Sequence, residues 1–413
     1  MTKKSLAILL SVAVLLAGFA LPAGALDTAG YKILVFSDVH QKAADDPNLY
    51  AFMDTAIKAN EPDLVILLGD VADPADRGGT MEALRQDAER ILAPIIANGA
   101  KFAYISGNHD HDELSDSTRA SLGGTHHDVL KAVAAVYREL GGDLYAECDA
   151  VSDYGGDNQL IYIRDAAGEV AASLVLFDLG EDGSSADSCG YTPISSAQQA
   201  WFMEVRAEYP DVPCYVFQHI PMPEVYDYYP TVPASWAAPL NDFCAKVDDA
   251  LHISFRELVG VWEGRTVLYL PNFFLYEGVI LEHPCPPSES LGEFETLRDD
   301  GNVVAVFSGH DHMNNFKIHR GGMDMWSIAG CAWLGSNANH YYRGASLITI
   351  NPQRPGAYTT SRYTYEKAAA EPGAPTIETK KDNESIFSDI LVWFEVALSV
   401  AGTPLRWLVD AFN

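Results

Sequence analysis

Residues 31–40 read YKILVFSDVH, an apolar run closed by an aspartate and a histidine. The run YKILVFS lies between Gly30 and Asp38, and it is too short and too evenly apolar for an amphipathic helix, so it is read as a buried strand. The same grammar continues outward from it. Leu49, Phe52, Met53, Ala56 and Ile57 recur at three- and four-residue intervals and predict a helix over 48–60. Residues 63–68 repeat the strand pattern ahead of Gly69-Asp70. A second helical pattern covers 80–97, and residues 101–105 form a third strand ahead of Gly107-Asn108-His109-Asp110. Strand, helix, strand, helix, strand is the order of a layered α/β domain whose first strands run parallel.

The polar groups at the strand ends carry the chemistry. Asp38 and Asp70 stand 32 residues apart, and Asp70 and Asn108 stand 38 apart. Each interval holds one strand-helix-strand unit. Further strands are expected at 160–164, 170–178, 214–218, 303–307 and 346–350, with a helix over 196–209. Two of these strands also end in imidazoles: Gln218-His219 closes CYVFQ, and Gly309-His310-Asp311-His312 closes VVAVFS. Open α/β sheets form their binding crevice at the carboxyl ends of strands, so these groups should converge. Carboxylate, amide oxygen and imidazole donors suit Mn, Fe, Zn or Co, and no thiolate stands among them.

These residues match the pattern of the calcineurin-like metallophosphoesterases over roughly residues 31–350. QHIP at 218–221 and GHDHMNNF at 309–316 resemble the purple-acid-phosphatase-like subgroup. The resemblance implies an α/β fold, a double β-sandwich flanked by helices in four layers, and hydrolysis of phosphate esters at two metal ions. It implies that Asp38, His40, Asp70 and His312 hold one metal, that Asp70, Asn108, His219 and His310 hold the other, and that Asp70 bridges them. Such a pair clamps the attacking and departing oxygens of an in-line displacement. The resemblance also implies that His109 stabilises or protonates the leaving oxygen. A nearby carboxylate would keep that imidazole charged; Asp73 is read as this partner, with Asp110 behind it. True purple acid phosphatases carry a metal-binding tyrosine three residues after the bridging aspartate. Asp73 occupies that place here, so no iron-tyrosinate chromophore is expected and the metals' identity stays open.

Two residues have weaker claims on the substrate. Arg343, in HYYRG, is read either as a contact to a substrate phosphate or as a surface residue. Tyr226, with Tyr228, Tyr229 and Trp236, either lines a pocket mouth or packs its own loop. Arg77, in DRGG, resembles the phosphate-holding arginine of the protein-phosphatase branch, but its offset differs and it is read instead as a surface-loop residue.

The ends set location. Lys3 and Lys4 precede an uncharged run from Leu6 to Leu21, then Pro22 and Ala23-Gly24-Ala25, the pattern of a secretory signal peptide cleaved after Ala25. The chain is therefore expected outside the cytoplasm. Residues 26–368 are read as the catalytic domain and 369–385 as a polar, proline-containing linker. Residues 386–413 form an apolar tail that Gly402-Thr403-Pro404 should break. That tail is read either as helices docked on the domain or as a peripheral membrane contact. Six cysteines, at 148, 189, 214, 244, 285 and 331, show no CxxC spacing, and no pairing is assigned.

Charge narrows the partners. The chain has 27 basic and 57 acidic residues, a net −30, and losing Lys3 and Lys4 with a leader deepens it to −32. Such a surface repels nucleic acid, so an anionic substrate must be met by metal charge at the site. A small phosphomonoester is the expected substrate. The same core serves phosphodiesters such as cyclic nucleotides, nucleotide sugars or lipid head groups, with loops deciding between the two. A catalytically inactive envelope binding protein on this scaffold would be expected to lack ligands, and none is missing here. Oligomeric state is not legible in the sequence.

Overall fold

The computed structural model describes residues 30–42, 45–152, 157–179, 191–251, 259–262, 265–268, 275–287, 289–334, 340–381 and 386–410. The leader assigned to residues 1–25 and Cys189 lie outside them. In chain order the strands are β1 (Tyr31–Phe36), β2 (Leu64–Leu68), β3 (Phe102–Ile105), β4 (Ala150–Ser152), β5 (Asn158–Arg164), β6 (Val170–Leu176), β7 (Cys214–Gln218), β8 (Val259–Trp262), β9 (Arg265–Leu268), β10 (Tyr276–Val279), β11 (Val303–Ser308), β12 (Asn315–Arg320), β13 (Met323–Ser327), β14 (Gly344–Ile350) and β15 (Tyr358–Thr364). The helices are α1 (Pro47–Asn60), α2 (Met81–Ala97), α3 (Asn108–Asp112), α4 (Asp116–Ser121), α5 (His126–Gly141), α6 (Ser196–Arg206), α7 (Ala237–Leu251), α8 (Glu293–Asp300), α9 (Tyr365–Ala369) and α10 (Ile386–Asp410).

Two sheets carry the site. The first has the order β15-β14-β1-β2-β3, with β1, β2 and β3 parallel and β14 antiparallel to β1. The second has the order β10-β12-β13-β11-β7-β6-β5-β4, parallel through β13, β11, β7 and β6 and antiparallel at its flanks. Successive strand residues face opposite ways, and β1 uses both faces. Ile33 and Val35 join Leu64, Ile66, Ala103 and Ile105 in a core shared with Leu174, Leu176, Tyr215, Phe217 and Phe307 of the second sheet. Leu34 and Phe36 instead pack against α1, α2 and α5 through Phe52, Leu84, Ile91 and Val133. The outer face of the second sheet is covered by α6 and α8 through Trp201, Phe202, Phe294 and Leu297. The layers are helix, sheet, sheet, helix: a double β-sandwich flanked by helices. Burial on both faces explains why β1, β2 and β7 read as unbroken apolar runs.

Element ends follow local chemistry. Thr80 accepts the Ala83 N–H, and Asp46 accepts the Leu49 N–H, capping α2 and α1. Helix α6 stops at Arg206 rather than at Tyr209, because the Arg206 guanidinium bonds the carbonyls of Tyr209, Pro210 and Val212 and folds the chain back before β7. The segment read as a linker is pinned to α1: Asn48 Nδ2 donates to the Glu378 carbonyl at 3.0 Å, and the Glu378 N–H donates to Asn48 Oδ1 at 2.7 Å.

The tail is a single helix, α10, which runs through Gly402-Thr403-Pro404 where a break was expected; Thr403 Oγ1 donates there to the Ser399 carbonyl at 3.2 Å. It lies along the edge strand β10. The Gly278 N–H donates to Ser399 Oγ at 2.9 Å, and the Tyr276 hydroxyl donates to Glu395 at 2.6 Å. Ile390, Trp393, Phe394 and Val400 are exposed. Among the described residues no helix is long and apolar enough to cross a membrane.

Candidate metal centre

The ligand-bearing turns interlock through their main chain. The Asp38 N–H donates to the Gly69 carbonyl, His40 N–H to Asp70, Gly309 N–H to His219, and Ala332 N–H to Asp38, all within 3.1 Å. Of the five non-glycine residues with left-handed backbone among the described residues, four are Asp38, His40, Asp70 and His310, with φ between 46° and 70°. Such a conformation is costly for a residue with a Cβ, and its concentration here marks a site where geometry outranks local comfort. Close approach also explains the glycines: a Cβ on Gly309 would collide with Ser37 Oγ and reach Asp38 Oδ2 at 3.0 Å. Gly309→Ala should therefore cost about 1–3 kcal/mol of stability and weaken metal retention, as overpacking does. Thermal melting and metal content after gel filtration check this; an unchanged metal content would show that the β11 turn tolerates the shift.

The seven residues read as ligands sit at five strand ends. Ligand atoms of Asp38, His40, Asp70 and His312 all lie within 4.8 Å of one another, as do those of Asp70, His219 and His310. Asp70 belongs to both groups. Its Oδ1 accepts the His109 N–H at 2.8 Å, and its Oδ2 lies 3.2 Å from His219 Nε2 and 3.7 Å from His40 Nε2. Ser37 Oγ and the His310 N–H both donate to Asp38, at 2.6 and 3.1 Å. His219 Nδ1 donates to the Leu68 carbonyl at 2.9 Å, which leaves Nε2 as the ring atom that faces Asp70 and that a metal would take in place of a proton. His40 Nε2 and His312 Nε2 are 3.1 Å apart.

These atoms fit a pair of cations. Asp70 Oδ2, Asn108 Oδ1, His219 Nε2 and His310 Nδ1 are buried and have no hydrogen-bond partner among the described residues. Orphaned lone pairs of this kind are rare in a protein interior, and carboxylate, amide and imidazole together form a donor set for borderline metals. Burial lowers His40 and His310 to about 3, which keeps both imidazoles neutral and free to ligate. At Asp70 burial is outweighed by His219, and the carboxyl is held well below its usual range. The same pairing overcomes burial at His219 and raises it to about 10.

A family model described as calcineurin-like phosphoesterase matches residues 31–253. The chain belongs to the calcineurin-like phosphoesterase family. Among relatives, it is 24 % identical to "Probable inactive purple acid phosphatase 14" of Arabidopsis thaliana, over 74 % of this chain and 71 % of that one. It is also 24 % identical to "Probable inactive purple acid phosphatase 29" of the same plant, over 79 % of each chain. A solved dimetal phosphatase from Danio rerio aligns with 81 % of this chain and 99 % of its own, at 12 % identity and a TM-score of 0.44.

Within this family fold, His109 stands beside the ligand cluster, its ring edge-on to His40 with centroids 4.9 Å apart. The carboxylate that holds it is Glu113, not Asp73: His109 Nδ1 and Glu113 Oε1 are 2.9 Å apart. Burial would lower the His109 imidazole, but Asp70 and Glu113 together raise it. Asp73 pairs with Lys42 at 3.2 Å. Asp110 accepts the N–H groups of Val71, Ala72 and Gly107, clamping the turns after β2 and β3. Glu113 is a helix-register partner, four residues beyond His109, and a spacing of that kind becomes a signal only once the short helix α3 is known. Tyr191, whose ring meets His310 edge-on at 4.4 Å, has no sequence signal at all.

The weaker sequence readings separate. Arg343 is only 1 % exposed, with its guanidinium 5.1 Å from the Trp333 ring, so the surface reading fails. Tyr226 is buried in the core beneath the second sheet and donates to the Pro284 carbonyl at 2.7 Å. Tyr228 and Tyr229 pack with it, whereas Trp236 is exposed. Arg77 pairs with Asp87 and bonds the Ala83 carbonyl, a helix-anchoring role. Cys148, Cys214 and Cys331 are thiols.

Proposed function

We propose that the chain is an active metal-dependent phosphoesterase that hydrolyses small phosphomonoesters outside the cytoplasm. The observation that carries this reading is the complete ligand set: no position of the seven is substituted, although relatives carry names marking them as inactive. Bound cations would supply the positive charge that a phosphate ester needs and lower the pKa of a nearby water towards neutrality. The Asp38, His40, Asp70 and His312 side chains would hold one of them, and Asp70, Asn108, His219 and His310 the other. Glu113 accepts the Nδ1 proton of His109 and fixes the ring with Nε2 as the remaining polar atom, placed to give a proton to a leaving oxygen. Leu68 orients His219, and Ser37 orients Asp38, so two ligands are set before any metal arrives. Export rests on the pattern of residues 1–25, and the acidic surface is consistent with a substrate drawn to the metal pair rather than to the protein's own charge.

Chelated protein, reloaded separately with Mn, Fe, Zn and Co, should regain hydrolysis of a chromogenic phosphomonoester and favour it over the matching diester. Absence of turnover with every metal would reject the enzyme, and a preference for the diester would reverse the substrate class.

A further inference from the structure

Helix α10 carries its polarity the wrong way round for a helix on a protein surface. Among its described side chains between Ile390 and Ala401, the exposed ones are Ile390, Trp393, Phe394, Ala397, Val400 and Ala401, and every one is apolar. Their spacing of three and four residues sets them on one stripe, about 17 Å long at about 1.5 Å per residue. The polar side chains of the same helix face the protein instead. Ser399 is buried and accepts the Gly278 N–H, and Glu395 is half-buried and accepts the Tyr276 hydroxyl. A helix docked on a domain in water ordinarily shows the reverse pattern, apolar inward and polar outward. The stripe is also held in place. Trp393 meets Tyr341 edge-on with ring centroids 6.0 Å apart, so contacts to Tyr341 and to β10 fix the helix that presents it.

Size and chemistry choose among the surfaces that could cover this stripe. Ile390, Trp393, Phe394 and Val400 are 56, 63, 59 and 51 % exposed. Together they present roughly 400 Å² of apolar side chain. A stable dimer needs about 800 Å² from each partner, about twice that area. Two copies of a chain with a net charge of −30 also repel each other. A protein interface carries about one hydrogen bond per 100–200 Å², whereas the six side chains of the stripe offer a single donor, the Trp393 indole N–H. A lipid surface asks for no such pairing. It takes up an apolar stripe that lies in its plane, and tryptophan suits the boundary between acyl chains and head groups. Among the described residues no helix is long and apolar enough to cross a membrane, so the contact is along one face of the helix.

We infer that α10 is a membrane-contact helix, which lays the stripe from Ile390 to Ala401 into the head-group boundary of a zwitterionic bilayer. Charge sets the lipid class. Lys380 is engaged by Asp389 at 2.9 Å, and Lys317 lies 3.6 Å from Glu277 on the strand that α10 follows. With its nearby lysines engaged and −30 on the chain as a whole, the protein is repelled by anionic head groups, and burial of the apolar stripe drives the contact. Binding of this kind persists in high salt.

The test uses the chain from Leu26 onward, because Tyr31–Asn413 forms one compact unit by itself and the apolar run from Leu6 to Leu21 would bind lipid on its own account. Flotation with phosphatidylcholine vesicles should carry this chain with the lipid, equally at about 0.1 and about 0.5 M sodium chloride. Replacing part of the phosphatidylcholine with phosphatidylglycerol should lower the bound fraction. Trp393→Ser combined with Phe394→Ser should weaken binding about tenfold or more. Ile390→Ser combined with Val400→Ser should give a smaller loss of the same kind. All four side chains are exposed, so circular dichroism, melting temperature and turnover of a soluble phosphomonoester should stay at parent values. Vesicle binding requires no turnover, so its outcome is independent of the phosphoesterase reading. Absence of binding to phosphatidylcholine, binding that survives both double substitutions, or a preference for phosphatidylglycerol that salt abolishes would each overturn the membrane contact. A dimer on gel filtration that Trp393→Ser with Phe394→Ser breaks would overturn it too, and would assign the stripe to a second copy of the chain.

Discussion

Asp70→Asn should abolish turnover by roughly a thousand-fold or more, about 4 kcal/mol of transition-state stabilisation at 1.4 kcal/mol per decade. Asp70 is shared by both ligand groups, so its loss removes a ligand from each at once. An amide can imitate its shape and still accept the His109 N–H, but it cannot supply the charge that His219 and His40 face. The folded chain should survive, because the turns are joined by main-chain bonds that the substitution leaves intact. Metal analysis, circular dichroism and kcat/KM on one preparation check the claim. A folded variant that kept two metals and its activity would deny Asp70 the bridging role.

His109→Ala should separate metal holding from proton supply. Its side chain stands beside the cluster and belongs to neither ligand group, so metal content should stay near that of the parent while kcat falls about 10²- to 10⁴-fold, the range for losing a general acid. Glu113→Gln tests the same reading through the partner. Glutamine can still accept the Nδ1 proton but removes the negative charge that helps to raise the imidazole, so kcat should fall roughly 10- to 100-fold with KM little changed. Substrates with good leaving groups need less proton assistance, so both variants should recover on them relative to alkyl esters. Equal losses on both substrate types would deny His109 the role of acid.

The parts of this fold that can be read from sequence are those where one residue type announces one environment. β1, β2, β3, β7 and β11 are buried on both faces, so each is a continuous apolar run, and its end is marked by a polar group that the crevice needs. Strands with one solvated side are harder. β15, YTTSRYT, alternates between half-buried and exposed positions and carries too few apolar residues to stand out. Helix α5 is the exception that periodicity could have found: Thr125 caps it, and Val129, Val133, Val136 and Tyr137 line its inner face.

At the site, the ligands are legible because strand order alone brings them together. The partner of His109 is not. Asp73 lies close to Asp70 along the chain, but the turn after β2 carries it to Lys42, whereas α3 begins at Asn108 and lifts Glu113 one helical turn above His109. Proximity in sequence is a poor guide across a turn and a good one along a helix. The tail offers a different lesson: its glycine and proline signal a break, yet contacts with β10 hold one helix through them.

The main-chain stitching of the ligand turns has a consequence for descent as well as for catalysis. Asp38, His40, Asp70 and His310 hold their unusual backbone within a lattice of amide-to-carbonyl bonds that does not pass through their side chains. The scaffold's shape thus rests largely on the main chain, with the Asp38, Asp70 and His219 side chains adding bonds to neighbouring turns. A lineage can exchange one ligand, fall chemically silent, and still inherit a cleft of the same form, ready to be reused for recognition.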